Sequence, residues 1–269
     1  MRLTHVGGPT LLIEVAGWRI LTDPTFDPPG RRYDFGWGTG SRKVAGPALQ
    51  PAELLPVDVV LLTHDHHADN LDDAGRAFLP SVPVVVTTAS GGRRLGARGL
   101  APWETTVLSA PGRPDVEVTA TPARHGPPLS RPVAGDVVGF SLRWEGQDDG
   151  VLWISGDTVP FAGLREVAER LRVDVAVLHL GGVRFPVTGP LRYSMTGRQA
   201  ARLTAQLDAR VVVPVHYEGW SHFVQDRPAV ERELAQAPDD VWRRFRWLPM
   251  GEPVEVGHQE VPPALGTVL

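Results

Sequence analysis

Four strand-like runs along this chain each lead directly into a histidine or an aspartate, and this pattern limits the fold more than any other feature of the sequence. Runs of mostly apolar residues of this length are typical of strands buried on both faces. Because strand ends at one edge of a sheet are neighbours in space, we expect the side chains that follow them to converge on one site. The runs are VVLLT before His64, TATPAR before His125, VLWISG before Asp157 and VVVPV before His216.

The first of these motifs, LLTHDHHADNLDD at residues 61–73, carries three histidines and four aspartates. In an extended chain, residues two apart point to the same side. His64 and His66 are therefore expected to hold one divalent ion together. Asp65 lies between them and is expected to point the other way, toward a neighbouring loop.

The order of the predicted elements favours two sheets packed face to face with helices outside, an α+β arrangement. Thr10–Val15 and Trp18–Thr22 are typical of a hairpin, and Asp69 is expected to cap a helix that begins just after it. Residues 26–48 show neither strand nor helix periodicity and are expected to form a long functional loop. No linker divides the sequence, so residues 1–269 are expected to form a single domain.

Composition narrows the choice of metal ligands and of partners. The chain of 269 residues has no cysteine, so a metal has only histidine, aspartate and glutamate side chains to bind. A net charge of -4 gives no reason to expect binding to nucleic acid or to an anionic membrane. The sequence contains no apolar run of membrane-spanning length and opens without the features of an export signal. We therefore expect a cytoplasmic protein with no transmembrane segment.

Taken in order, HDHHADN, ARH, SGDT and VPVHYE resemble the motifs of the metallo-β-lactamase superfamily of metal-dependent hydrolases. The resemblance covers nearly the whole chain. It is greatest to the branch with ascorbate-6-phosphate lactonase-like enzymes and phospholipase D-like enzymes that cleave N-acylphosphatidylethanolamines. It implies an αββα four-layer sandwich with a two-metal site at one edge. By this resemblance the first metal is held by His64, His66 and His125, the second by Asp69 and His216, and both by Asp157.

The motif around Ala68 departs from the family pattern, in which aspartate and histidine follow the second histidine at two and three positions. We expect the extra residue to be absorbed where the strand turns into the helix, which leaves Asn70 at the place of a histidine. An amide oxygen is a poorer zinc ligand than an imidazole, so the second ion is expected to bind more weakly. His67 is interpreted as an outer or solvent-facing residue, and it becomes a ligand only if the turn rotates.

The expected activity is hydrolysis of an ester, lactone or phosphoester by a metal-activated hydroxide. The resemblance implies that Asp69 orients this hydroxide and that Asp157 bridges two divalent ions. Zinc is the favoured metal, with manganese and iron as alternatives. The competing interpretations are a phosphodiesterase or phospholipase D-like enzyme, and a metal-binding scaffold without turnover.

The substrate is expected to be a small molecule, and cations in the loop at residues 26–48 suit an anionic group on it. The roles of three further histidines stay open, since each is either a core residue or a contact to substrate. No role is expected for His258, and the oligomeric state is not predicted. The loop cations are Arg31, Arg32, Arg42 and Lys43, and the three open histidines are His5, His179 and His222.

Overall fold

The computed structural model describes residues 1–257 of the chain. The expectation of a single domain over residues 1–269 stays a prediction, and His258 lies outside the described residues. The strands within residues 1–257 are β1 (Arg2–Gly7), β2 (Thr10–Val15), β3 (Trp18–Thr22), β4 (Arg32–Gly36), β5 (Thr39–Arg42), β6 (Val59–Leu61), β7 (Val84–Thr88), β8 (Arg98–Leu100), β9 (Thr105–Leu108), β10 (Val116–Pro122), β11 (Val138–Trp144), β12 (Val151–Ile154), β13 (Val173–His179), β14 (Val211–Val215) and β15 (Pro253–Glu255).

The helices lie in the connections between strands, and the longest of them, Ala162–Arg170 and Gly197–Leu207, flank β13. Two 3₁₀ turns accompany them, at Leu79–Ser81 and Pro186–Thr188. None of the helices in this part of the chain is long and apolar enough to cross a membrane. The α-helices are α1 (Pro51–Leu54), α2 (Asp73–Phe78), α3 (Ala89–Leu95), α4 (Arg131–Ala134), α5 (Ala162–Arg170), α6 (Gly197–Leu207), α7 (Arg227–Leu234) and α8 (Asp239–Trp242).

The strands form two large sheets and one separate hairpin. Seven strands make the first sheet in the order β15-β1-β2-β3-β6-β7-β8, and six make the second in the order β14-β13-β12-β11-β10-β9. In the first sheet β6 runs parallel to β3 and β7. In the second sheet β13 runs parallel to β12 and β14. Within each sheet, the carboxyl ends of these parallel strands therefore reach the same edge.

Each sheet buries one face against the other sheet and its second face beneath helices. In β13, Val175 and Val177 belong to the core between the sheets, whereas Ala176 and Leu178 pack toward helices. This is the alternation that a strand imposes on its side chains. Helices α1 and α2 cover the first sheet, and α5 to α8 cover the second. The expected α+β fold, an αββα four-layer sandwich, is confirmed.

The segment at residues 26–48 contains a hairpin, so the expectation that it is a loop without strands is wrong. β4 pairs with β5, and their turn holds Trp37 and Gly38 at positive φ values of 56° and 75°. Just after β5, the ammonium group of Lys43 lies 2.6 Å from Oδ2 of Asp72 in a buried ion pair. The alternation of Tyr33 and Phe35 with polar residues in β4 was the local signal for a strand, whereas the contacts with distant residues leave no pattern in the local sequence.

The helix after the first histidine motif begins later than expected. α2 starts at Asp73 and its N-cap is Asp72, whose Oδ1 accepts the amide hydrogen of Gly75 at 2.8 Å. The same carboxylate accepts two backbone amide hydrogens from the preceding long loop. Asp69, the expected cap, lies in the turn before the helix. Its carboxylate is therefore available for contacts with other side chains.

Candidate metal centre

The structure brings the four strand-end side chains together at one edge of the sandwich. His64 follows β6 of the first sheet, while the other three follow β10, β12 and β14 of the second sheet. All four are buried, with exposed fractions of 0% for His64, Asp157 and His216 and 5% for His125. The site is thus assembled from both sheets, which explains why its members are far apart in sequence.

One group of potential ligands contains three imidazoles, those of His64, His67 and His125. Their ligand atoms lie within 4.8 Å of one another, and Nδ1 of His67 lies 3.0 Å from Nε2 of His125. Burial lowers the pKa of His64 well below its ordinary value and, with neighbouring imidazoles, lowers that of His125 to about 3. These rings are therefore neutral at pH 7, which is the form that binds a metal.

A second group contains Asp69, Asp157 and His216, again within 4.8 Å. Nε2 of His216 lies 3.4 Å from Oδ2 of Asp69 and 3.3 Å from Oδ2 of Asp157. Burial lowers the pKa of His216, but the two carboxylates outweigh burial and raise it to about 9. Burial raises the pKa of Asp69, but the neighbouring imidazoles of His216 and His222 outweigh burial and hold it well below its ordinary value.

His66 lies outside both groups, which corrects the expected geometry of the first motif. Its side chain is 31% exposed. The imidazole packs flat against Gly135, so closely that a Cβ atom at that position would lie 2.2 Å from Nδ1 of His66. β6 ends at Leu61, so the chain is no longer extended at His64 and the two-residue alternation does not apply. His67, the next residue along the chain, lies in the first group instead.

Asp65 points away from the two groups, as expected of a residue that contacts a neighbouring segment. Its carboxylate accepts hydrogen bonds from the guanidinium group of Arg94, at 2.8 Å from Nε and 2.5 Å from Nη2. Burial raises the pKa of Asp65, but this pairing outweighs burial and lowers it below its ordinary value. The Asp65 carboxylate is thereby bound to α3 through Arg94.

Several buried polar atoms in the two groups and on the adjacent Asn70 have no hydrogen-bond partner among the described residues. An unsatisfied buried polar group typically costs about 1–3 kcal/mol, so a concentration of them at one point calls for a ligand. Imidazole nitrogens and carboxylate oxygens are the donors that zinc, manganese and iron accept. The residues therefore fit a divalent metal site. The unpartnered atoms are Nε2 of His64, Oδ1 of Asp69, Oδ1 of Asn70, both carboxylate oxygens of Asp157 and Nε2 of His216.

A hydrogen-bonded layer behind the first group fixes the orientation of His64. The fully buried carboxylate of Asp23 accepts hydrogen bonds from the backbone amide of Thr63 at 2.7 Å and from its hydroxyl at 3.0 Å. The Thr63 hydroxyl lies 3.2 Å from Nδ1 of His64, and Nε2 of His179 lies 3.1 Å from Asp23. His179 is thus a neighbour of the site through Asp23. The Asp23-Pro24 stop after β3 was the only sequence signal for this layer.

The two other open histidines occupy different positions. His5 is buried away from both groups, with Nε2 3.0 Å from the carbonyl oxygen of Gly8. His222 is buried beside the second group, with Nε2 2.9 Å from Oδ2 of Asp69. The sequence placed His222 soon after His216 but gave no reason to connect it with Asp69.

The hairpin covers the metal centre with an aromatic side chain. The ring of Phe35 lies 5.1 Å from that of His67 and 5.5 Å from that of His222, measured between centroids. Phe35 also meets Phe185 edge to face at 6.1 Å. The segment at residues 26–48 therefore packs over the two groups through Phe35 of β4.

A cavity of about 700 Å³ lies beside the second group, with His222 in its wall. Arg32 and Arg184 also line it, and neither guanidinium group has a hydrogen bond or an ion pair within residues 1–257. A second cavity of about 430 Å³ reaches His125 and includes Arg124 and Arg131. Both of those guanidinium groups are engaged, Arg124 with a backbone oxygen and Arg131 with a carboxylate.

The αββα sandwich and its two groups of buried histidine and aspartate side chains define the class of this chain, a metallo-β-lactamase-fold hydrolase. Residues 18–217 match the family model described as beta-lactamase superfamily domain, and the chain belongs to this superfamily. It is a metal-dependent hydrolase of that superfamily, as the resemblance of its motifs implied.

Relatives and solved structures agree with this placement. A UPF0173 metal-dependent hydrolase from Caldivirga maquilingensis is 27% identical over 241 residues, covering 87% of this chain and 89% of that protein. The structure of an isothiocyanate hydrolase from Delia radicum gut bacteria has a TM-score of 0.76 at 22% identity, covering 95% of this chain and 99% of that one. Igni18, a metallo hydrolase from Ignicoccus hospitalis, has a TM-score of 0.66 at 23% identity, with coverages of 94% and 97%. The structural likenesses establish the fold.

Proposed function

We propose that this protein hydrolyses an ester, lactone or phosphoester bond in a small anionic molecule, using two divalent metal ions. The observation that carries the proposal is the set of unpartnered buried atoms in two adjacent groups of ligand-type side chains. A purely structural core does not leave so many polar atoms unsatisfied at one place. The nearby cavity with free guanidinium groups gives the substrate a place to bind.

The proposed ligands follow the two groups. His64, His67 and His125 would hold the first ion, and Asp69 and His216 would hold the second. Asp157 would serve as a ligand to both ions, and this role is supported by its two carboxylate oxygens, neither of which has a hydrogen-bond partner within residues 1–257. Zinc is the proposed metal because imidazole dominates the first group, with manganese and iron as alternatives.

Asp69 is the residue proposed to transfer protons during the reaction. A divalent ion at such a site acts as a Lewis acid that makes water a better nucleophile near neutral pH. Asp69 is ionised, and its Oδ1 has no hydrogen-bond partner while Oδ2 accepts from His222. We assign Oδ1 of Asp69 to orient the attacking water, accept its proton and pass that proton to the leaving group.

The anionic character of the substrate is proposed from the arginine side chains. Arg32 and Arg184 line the cavity beside His222 without internal partners, and a guanidinium group binds carboxylate or phosphate through paired hydrogen bonds. The cavity beside His125 is less suited to this task because Arg124 and Arg131 are already engaged. Arg31, Arg42 and Lys43 of the same loop are not part of the cavity wall, so the expected set of loop cations is reduced to Arg32.

Metal dependence is tested by removing the ions with a chelator and adding back zinc, manganese or iron singly. Activity should disappear and return, with metal content measured by mass spectrometry. Asp157→Asn should lose metal and activity together, while Asp65→Asn, whose partner is Arg94, should keep its metal. Full turnover by protein shown to be metal-free would contradict the proposal.

The bond that is cleaved is tested with a panel of lactones, aryl esters and a bis-aryl phosphodiester. Turnover of the phosphodiester alone would favour the phosphodiesterase or phospholipase D-like interpretation. No turnover of any compound by protein carrying both ions would favour a metal-binding scaffold. Isothiocyanates belong in the panel because a solved structure with this fold is described as an isothiocyanate hydrolase.

The anion preference is tested with pairs of substrates that differ only in a carboxylate or phosphate group. Arg184→Gln should raise KM for the charged member of each pair and leave the neutral member unchanged. Arg165→Gln is the matched control, because Arg165 is exposed on α5 at the outer face of the second sheet. A cytoplasmic location and the lack of nucleic-acid partners stay predictions from the sequence.

A further inference from the structure

Buried hydrogen bonds link the hairpin to the second group of ligands through His222. Nδ1 of His222 lies 2.6 Å from the hydroxyl oxygen of Ser41, and Nε2 lies 2.9 Å from Oδ2 of Asp69. The exposed fractions are 3% for Ser41, 5% for His222 and 2% for Asp69, so water does not compete for these bonds. Ser41 lies on β5, which makes the hairpin a direct neighbour of the metal centre.

The donors and acceptors in this chain of contacts follow from their chemistry. An ionised carboxylate accepts hydrogen bonds only, so Nε2 of His222 carries the hydrogen directed at Asp69. In the neutral ring Nδ1 is then an acceptor, and the Ser41 hydroxyl donates to it. The hydroxyl oxygen of Ser221 lies 3.2 Å from that of Ser41 and accepts the backbone amide hydrogen of Arg42 at 2.9 Å.

The imidazole of His222 is held in place by aromatic rings as well as by hydrogen bonds. It stacks on Phe185 with an interplanar angle of 9° and a centroid distance of 5.2 Å. Phe223 lies 4.7 Å away and Phe35 5.5 Å away. A ring confined on several sides retains one orientation, so the hydrogen bond to Asp69 has a fixed direction.

We propose that His222, oriented by Ser41 and Phe185, is a positioning residue that sets the Asp69 carboxylate for the second metal ion. This inference rests on the proposed role of Asp69 as a ligand of that ion. Hydrogen bonds to a ligating side chain fix its orientation and contribute to metal affinity. Because Ser41 belongs to the hairpin, the position of β5 and the affinity of the site for the second ion are coupled.

The contacts favour positioning over direct ligation by His222. Both of its ring nitrogens already have partners within hydrogen-bond distance. By contrast, Nε2 of His64 has no hydrogen-bond partner within residues 1–257, and Nε2 of His216 faces only the carboxylates of Asp69 and Asp157, at 3.4 Å and 3.3 Å. A metal at His222 would require the bond to Asp69 to break.

The experiment is a titration of the metal-free full-length protein with Co²⁺ and with Zn²⁺, followed by calorimetry and by the visible absorption of Co²⁺. His222→Phe should lower the affinity for the second ion about 10- to 100-fold, which is the usual effect of losing a hydrogen-bond partner of a metal ligand. The affinity for the first ion should not change. His222→Gln should recover most of the affinity, because its amide N–H can still donate to Asp69. Ser41→Ala should show a smaller loss in the same direction.

Thr39→Val is the matched control, because the Thr39 hydroxyl donates to the carbonyl oxygen of Gly36 within the hairpin at 2.7 Å and is not hydrogen-bonded to Ser41 or His222. If it weakened the second ion as much as Ser41→Ala, general seating of the hairpin would explain the effect and the inference would be overturned. Loss of one whole equivalent of metal in both His222 variants would make His222 a ligand and also overturn it. Circular dichroism establishes that each variant is folded, and Ser41→Ala carries the test if His222→Phe is not.

The titration separates this inference from the proposed function. Wild-type protein that binds no second ion would overturn the two-metal site and the inference with it. Wild-type protein that binds two ions, with a second ion unaffected by His222→Phe and Ser41→Ala, would overturn the inference alone.

Discussion

Nδ1 of His67 lies 3.0 Å from Nε2 of His125, a distance at which one neutral imidazole donates its N–H hydrogen to the other. Nδ1 of His125 lies 2.7 Å from the backbone carbonyl oxygen of Tyr193 and must donate to it. Nε2 of His125 therefore carries a lone pair directed at His67. The pair is preorganised to bind a metal once the proton on His67 is displaced.

This relationship predicts opposite outcomes for two adjacent histidines. His67→Ala should remove a ligand from the first group and lower first-ion affinity at least about tenfold, the lower bound expected even for a residue that only supports a ligand. His66→Ala should leave metal content unchanged, because its imidazole packs against Gly135 outside both groups. Metal analysis of the two purified variants beside wild type is sufficient, and equal losses in both would contradict the placement of His67.

The ease of predicting a ligand from the sequence depended on where its strand ends. For Asp157 and His216 a continuous apolar strand runs to within a few residues of the side chain, so the strand pattern was enough to propose these two residues as ligands. For the first motif β6 ends at Leu61, and the turn after it decides which of His66 and His67 faces inward. The geometry of that turn depends on packing against other segments, which alternation within one strand does not encode.

The pH dependence of the metal-free protein provides a second prediction for His67. Burial lowers its folded-state pKa from 6.5 to about 4. As pH falls below 6.5 the unfolded chain binds a proton at this residue before the folded chain does, so the stability contribution present above pH 6.5 is lost toward pH 4. Asp23 changes in the opposite sense, because burial raises its pKa to about 7.

A comparison with His67→Gln isolates this residue from Asp23 and the other titrating groups. As pH falls from 7 to 4, the free energy of unfolding of the variant should rise relative to that of wild type by up to about 3 kcal/mol. One pKa unit corresponds to about 1.4 kcal/mol. The measurement is urea unfolding of both metal-free proteins at several pH values. A free-energy difference that does not vary with pH would show that His67 is not a buried neutral imidazole.

The buried ion pair beneath the hairpin predicts a large effect on stability. Lys43 and Asp72 have side chains that are 3% and 0% exposed, with 2.6 Å between Nζ and Oδ2. Lys43→Met leaves a buried carboxylate without its cation and should lower the free energy of unfolding by about 3–5 kcal/mol. Arg31→Met is the control, because Arg31 and Asp73 pair at the exposed surface, and denaturant unfolding should show no measurable change for it.

The hairpin itself shows what the sequence did not encode locally. In β4, Tyr33 and Phe35 alternate with polar residues, but β5 (Thr39–Arg42, TGSR) has no apolar side chain that would continue the pattern. The position of the two strands is fixed by contacts with remote residues, including Lys43 with Asp72 and Ser41 with His222. Composition indicated that aromatic residues of this segment pack over something, but only the tertiary structure shows that Phe35 covers His67.

The last prediction concerns Asn70, which occupies the place where the family motif has a histidine. Asn70 is fully buried, its Nδ2 lies 3.4 Å from the Thr63 hydroxyl, and its Oδ1 has no hydrogen-bond partner among the described residues. Asn70→His offers an imidazole nitrogen in place of a neutral amide oxygen and should tighten binding of the second ion, on the order of tenfold. The larger ring should also destabilise the metal-free protein by about 1–3 kcal/mol through overpacking. Titration with Zn²⁺ and denaturant unfolding measure the two effects separately.

Asn70→Ala is the comparison variant. Weaker second-ion binding in this variant would show that the amide oxygen contributes to the site. An unchanged titration in both variants would show that position 70 does not reach the metal.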